Sequence, residues 1–182
     1  MKLCAVQLAS LKGDVQGNLE RHLHCIEQAA ALGAELVVFP ELSLTGYEPT
    51  LARQAALPLS SSRLDPLQAL CDRHGLSVAV GLPLPTPDGI RIGMPILSPR
   101  APRQAYAKQR LHSDELPYFV AGDQPLVFEL DELRVFEEVP PQGFDGEDVA
   151  GDEGAVHQRP GVVAETGVEP GDLVRPAVAR GQ

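Results

Sequence analysis

One carboxylate in this chain stands where a carboxylate can do chemistry. Glu41 follows Leu36-Val37-Val38-Phe39-Pro40 and precedes Leu42-Ser43-Leu44-Thr45-Gly46-Tyr47. An apolar run that stops at Pro-Glu and passes into a Thr-Gly turn reads as a buried strand delivering one side chain to its C-terminal end, where the sites of α/β sheets lie. Taken singly, a Glu after a strand is most simply a solvated loop residue. Partial desolvation at the end of a buried strand would instead raise its proton affinity toward the range of a general base. A second charged group, Tyr106-Ala107-Lys108-Gln109-Arg110-Leu111 followed by Asp114-Glu115 and Gly122-Asp123, contains the last lysine of the chain. A thiol nucleophile could come only from Cys4, Cys25 or Cys71. Cys4 falls in an expected first strand and the other two in expected helices beside apolar residues. Each therefore reads as a small core residue, not as an accessible thiol in electropositive surroundings.

Other chemistries find less support. His22 and His24, two apart on an expected helix, face different ways and make poor joint metal ligands. The acidic residues Asp145, Glu147, Asp148, Asp152 and Glu153 fit no phase of a calcium-loop pattern and read as a solvated run. No phosphate loop or dinucleotide fingerprint is present.

The elements that must position Glu41 and Lys108 follow from the apolar pattern. Residues 2–8 read as a strand. Apolar positions at Leu19, Leu23, Ile26 and Ala30 read as a helix that stops at Gly33, and 36–39 as a short buried strand. Residues 42–59 read as a loop. A second helix, N-capped by Ser60–Ser62, runs to His74-Gly75. Residues 76–82 read as one strand, 85–89 as a turn centred on Asp-Gly, and 90–97 as its paired strand. Residues 103–108 are an expected strand running into Lys108, 109–123 a loop and 126–130 a further strand. The order predicts an α/β domain with a mixed sheet and helices outside it.

Composition divides the chain. Residues 1–128 carry 11 basic against 12 acidic side chains and residues 129–182 carry 4 against 13, so the formal net charge of −10 belongs to the C-terminal third. That balance argues against a nucleic-acid or anionic-membrane partner. No apolar run is long enough to span a membrane. An odd count of widely spaced cysteines argues for a reducing, cytoplasmic setting. Residues 139–182 contain 8 Gly and 5 Pro with no sustained period. They read as a disordered acidic tail, set against an irregular segment packed on the domain. The expected division is a domain over 1–138 and a tail over 139–182.

Taken together, FPELSLTGY, the YAKQRL cluster with Asp114-Glu115 and Phe119-x-x-Gly122-Asp123, and Val6-Gln7 with Gly13-Asp14 and Asn18 resemble the nitrilase, or carbon–nitrogen hydrolase, superfamily over roughly residues 2–130. The resemblance implies an α-β-β-α sandwich that commonly forms homo-oligomers, acts on small amides or nitriles and needs no cofactor. It implies Glu41 as the base, Lys108 as the cation that holds the oxyanion, and Glu115 as the residue that orients the site. The family's third group, a cysteine on a turn after an apolar strand, should fall near 138–148. Those residues read EVPPQGFDGED and hold no cysteine. The expectation is therefore an incomplete sandwich whose C-terminal third is truncated or frameshifted, inactive as written and prone to aggregate through unpaired edges. The alternative is a non-catalytic fragment or a module that binds a small molecule or protein.

Overall fold

The computed structural model describes residues 2–124, together with the backbone of three further strands at 127–130, 133–136 and 173–178. Three parallel strands form its centre: β1 (Lys2–Gln7), β2 (Leu36–Val38) and β3 (Ser77–Ala79). Parallel neighbours need crossovers. The first is α1 (Val15–Ala31), and the second includes α2 (Ala52–Ala55) and α3 (Asp65–His74).

Antiparallel strands extend the sheet on the β3 side. β4 (Leu82–Thr86) and β5 (Gly89–Leu97) form a hairpin, and β6 (Gln104–Ala107) follows. β5 carries β3 and β4 end to end along one edge and β6 along the other. β7 (Val127–Leu130) and β8 (Leu133–Phe136) make a separate two-stranded sheet, and β9 (Leu173–Val178) pairs antiparallel with β1. The edge of β1 thus has a partner.

Asp14 caps α1 by accepting from the Gly17 N–H at 2.9 Å. The helix buries Val15, Asn18, Leu19, His22, Cys25, Ile26 and Ala29, a stripe at helical spacing. α3 carries Asp65 in its first turn and ends on left-handed Gly75, as helix termini favour. The inward residues of both helices meet Cys4, Val6, Val37, Val78 and Leu97 in the main core. Ile90 and Ile92 alternate to the opposite face of β5. There they pack with Leu42, Ala52 and Phe119 in a second cluster. Among the described residues no helix is long and apolar enough to cross a membrane.

The sequence-based element boundaries need three corrections. The expected strand over 76–82 is two strands, broken at Val80-Gly81. The expected turn over 85–89 shrinks because β4 runs through Pro83 and Pro85. Prolines are tolerated there because β4 lies at the end of the sheet, where missing N–H groups break no central ladder. The expected loop 42–59 contains the one-turn helix α2. Apart from β9, the expected acidic tail lies outside the described residues, as does the window 138–148 in which a nucleophile segment was sought.

The break at Gly81 has a steric cause. A Cβ on Gly81 would fall inside van der Waals contact with the Leu42 nitrogen and the Pro40 oxygen, so the turn after β2 crosses directly over this glycine. Gly81→Ala should therefore lower stability to urea by more than about 2 kcal/mol. Gly75→Ala offers a comparison: its Cβ would meet nothing within 4 Å, but its φ of +66° should still cost about 1 kcal/mol.

Candidate active site

β2 ends at Val38, and the chain then folds into a tight turn that carries Glu41. Phe39 N–H continues the sheet to Ala79 O at 2.9 Å. Beyond it Ser43 N–H donates to Pro40 O at 3.2 Å, Thr45 N–H to Leu42 O at 3.0 Å and Leu44 N–H to Gly81 O at 3.0 Å. Leu42 takes a φ of +52°, which a branched side chain adopts only under constraint. That constraint comes from all sides. Asn18 Nδ2 donates to Leu44 O at 3.1 Å, Ser10 Oγ to Ser43 O at 2.7 Å and Gly13 N–H to Thr45 O at 2.8 Å.

Lys108 arrives from β6. Its N–H donates to Ile92 O at 2.9 Å, and its carbonyl accepts from Gly122 N–H at 2.8 Å. Gly122 is obligatory here, because a Cβ would collide with the Ala107 carbonyl. Glu115 sits in the turn that follows. His112 N–H donates to its Oε2 at 2.8 Å.

The three side chains converge. Lys108 Nζ lies 2.7 Å from Glu115 Oε1 and 3.3 Å from Glu41 Oε2. Their exposures differ sharply: 1% for the Glu115 side chain, 22% for Lys108 and 40% for Glu41. The desolvated carboxylate is thus Glu115, whereas the strand-end position of Glu41 suggested that Glu41 would be the partly desolvated one. Burial disfavours the Lys108 ammonium, but Glu115 and Glu41 outweigh it and hold its pKa above the ordinary lysine value. Burial likewise disfavours the Glu115 carboxylate. Lys108, His112 N–H and Tyr47 outweigh it and hold its pKa below the usual range.

Three neighbours were not assigned to this site from sequence. Tyr47 donates its hydroxyl to Asp114 Oδ2 at 3.1 Å and Glu115 Oε1 at 3.2 Å. Its pKa is pushed up to about 12, first by desolvation and then by those two carboxylates. His22 is completely buried and stacks on Phe39 with ring centroids 4.1 Å apart. Ser43 is buried against it, with Oγ 2.9 Å from His22 Nε2. Tyr47 and Ser43 lie in the apolar-Pro-Glu string, which is the one sequence signal that pointed toward them. His24, by contrast, meets Gln28 on the exposed side of α1. Among the described residues no cluster of three His, Cys, Asp or Glu could hold a metal ion.

All three cysteines are buried. Burial, with a smaller contribution from Asp72, pushes the Cys71 thiol up to about 12, and burial raises Cys4 as well. Within the described residues, the arrangement therefore supplies a fixed cation, a half-exposed carboxylate beside it, and a buried carboxylate that anchors the cation.

The family model described as carbon-nitrogen hydrolase matches residues 2–137. The chain is 30% identical over 141 residues to the glutamine-dependent NAD(+) synthetase of Aquifex aeolicus, covering 74% of this chain and 24% of that protein. It is 28% identical over 144 residues to the synthetase of the same name from Thermotoga maritima, covering 74% and 25%. The chain thus spans about a quarter of the length of these curated relatives. Among solved structures it resembles XC1258 from Xanthomonas campestris, a CN-hydrolase superfamily protein, with a TM-score of 0.69 and 21% identity over 75% of this chain and 51% of that one. It also resembles an amidase from Nesterenkonia sp., with a TM-score of 0.66 and 24% identity over 75% and 54%. The fold is therefore the α/β nitrilase-like fold.

Two measurements probe the electrostatics. Lys108→Met leaves Glu115 buried without its cation and should cost about 3–5 kcal/mol of unfolding free energy. Adding Glu115→Gln should recover more than half of that loss, which a double-mutant cycle reads as coupling. Desolvation also lowers the His22 pKa from 6.5 to about 4, although the hydrogen bond to Asn18 opposes the shift. The unfolded chain therefore binds this proton more readily than the folded one. Stability should be full above about pH 6.5 and fall by up to roughly 3 kcal/mol as the pH drops toward 4. His22→Gln should flatten that part of the profile.

Proposed function

Because the chain belongs to the carbon–nitrogen hydrolase family, we propose that Glu41, Lys108 and Glu115 are the charged part of a site for hydrolysing a small amide or nitrile. The observation that carries this reading is the Lys108 ammonium held 2.7 Å from one carboxylate and 3.3 Å from another. An ammonium fixed in this way stays protonated and presents a preorganised positive charge to an oxygen that becomes negative.

In this reading a thiol sulfur attacks the carbonyl carbon while Glu41 takes the thiol proton. Lys108 faces the oxyanion. The carbon–nitrogen bond breaks, ammonia leaves with the proton from Glu41, and a thioester remains. Glu41 then takes a proton from water, whose oxygen attacks the thioester carbon. The acid departs, and the proton returns to sulfur. Glu115 keeps Lys108 in place throughout. The relatives' names favour the side-chain amide of glutamine over a nitrile as substrate. Cytoplasmic placement rests on the cysteine count alone.

The nucleophile is the part that this chain does not supply. Its three cysteines occur at positions 4, 25 and 71, and all are buried. We infer that the chain by itself holds an amide at Lys108 without forming a thioester, as a binding module would.

The test uses the full chain with glutamine and, separately, butyramide. Ammonia release and intact mass report turnover, and NMR reports binding. The expected result is amide-dependent shifts at Glu41 and Glu115 that disappear in Lys108→Ala, with no ammonia and no acyl adduct. Ammonia release abolished by both Glu41→Gln and Lys108→Ala would instead make the chain a competent hydrolase. A folded chain that binds neither amide would reduce the ion group to a structural role.

A further inference from the structure

We propose that His22 and Ser43 are positioning residues: a buried hydrogen-bond relay from the middle of α1 that sets where Glu41 stands relative to Lys108. The inference rests on the reading of Glu41 as the base and adds what holds that base in place.

The direction of each hydrogen bond can be worked out. His22 Nδ1 lies 2.6 Å from the Asn18 carbonyl, which can only accept. Nδ1 therefore carries the proton. The neutral ring has one proton, so Nε2 is an acceptor. Ser43 Oγ, 2.9 Å away, must donate to it. The lone pairs of Oγ remain available to the Gly81 N–H at 3.3 Å. The relay runs from Gly81 N–H to Ser43 hydroxyl to His22 ring to the α1 backbone, and each member has a partner.

Packing alone gives no reason for this arrangement. A buried imidazole and hydroxyl are unfavourable unless every bond is made, and an apolar pair would fill the same space with no such requirement. What the polar pair adds is direction. Ser43 lies two residues after Glu41, beyond the strained Leu42, and its hydroxyl ties the turn to Gly81 on one side and α1 on the other. The stack of His22 on Phe39, two residues before Glu41, fixes the other arm of the same turn. Glu115 is held on a different segment by His112 N–H, and Tyr47, which also donates to it, is anchored beyond Ser43 by the Gly13 N–H to Thr45 O bond. Loosening the relay should therefore move Glu41 and leave Glu115 in place.

That asymmetry makes the test. The full chain is labelled with carboxyl-13C glutamate, and Lys108→Met marks the shifts of Glu41 and Glu115 without their cation. In Ser43→Ala the Glu41 signal should move toward its Lys108→Met position, while the Glu115 signal stays at its wild-type position. Ser43→Thr should restore Glu41. His22→Gln keeps an acceptor near the place of Nε2 and should resemble wild type, whereas His22→Asn keeps the Asn18 bond alone and should resemble Ser43→Ala. Nitrogen shifts of His22 in the unmodified chain, which require no variant to fold, should show the neutral Nδ1–H form.

An Nε2–H ring would overturn the proposal. So would equal movement of Glu41 and Glu115 in Ser43→Ala, no movement of either, or identical behaviour of the Gln and Asn variants. Failure of the site reading on which this rests would show instead as a folded chain that binds neither amide, with this carboxyl pattern intact.

Discussion

A carboxylate buried as deeply as Glu115 survives folding only if a cation and hydrogen-bond donors replace the water it loses. Lys108 supplies the charge, and His112 N–H and Tyr47 supply the rest. Much of the local structure follows from that requirement. β6 must stop at Ala107 so that the next side chain leaves the sheet. The loop after it must return within reach, and Gly122 lets it pass against the β6 backbone. The ion group thus joins the end of a strand to the turn that follows it, beside the apolar anchor that Phe119 supplies.

Glu41 meets the same ammonium from another direction and is held by other means. Its turn is built over Gly81, where two strands meet and no side chain fits, and is tied to α1 through Asn18, His22 and Ser43. Two scaffolds, linked by the Tyr47 hydroxyl, therefore meet at one nitrogen. Rigid elements placed in this way can fix a separation of about 3 Å more firmly than a single flexible loop, which is what preorganised electrostatics requires.

The apolar run into Pro-Glu announced both the strand and the carboxylate it delivers, because a buried parallel strand has a composition unlike anything around it. Lys108 and Glu115 were found through a resemblance in local sequence. Nothing in spacing alone says that residues 41, 108 and 115 meet, since that depends on how β2, β5 and β6 pair. The break at Gly81 was missed because a strand and a strand-turn-strand share the same apolar pattern, and only the crossing turn distinguishes them. His22 was read as half of a failed metal pair. Its true neighbours, Phe39 and Ser43, lie 17 and 21 positions away in sequence, and helical periodicity cannot show what a buried polar residue faces. The resemblance placed Glu115 at the site, but its near-total burial is a tertiary fact that local sequence does not carry.

The unequal grip on the two carboxylates fits the different roles proposed for them. Protonating Glu115 would remove the charge that compensates Lys108 at 2.7 Å, and its lowered pKa expresses that resistance. Glu41 is held at a longer distance, 3.3 Å, and 40% of its side chain is open to solvent. With both carboxylates ionised, the three side chains carry one net negative charge, which opposes a thiolate brought alongside. Passing the thiol proton to Glu41 brings the three side chains to zero net charge and removes that opposition. In the proposed reaction the base must therefore be the exposed carboxylate, and the anchor must be the buried one.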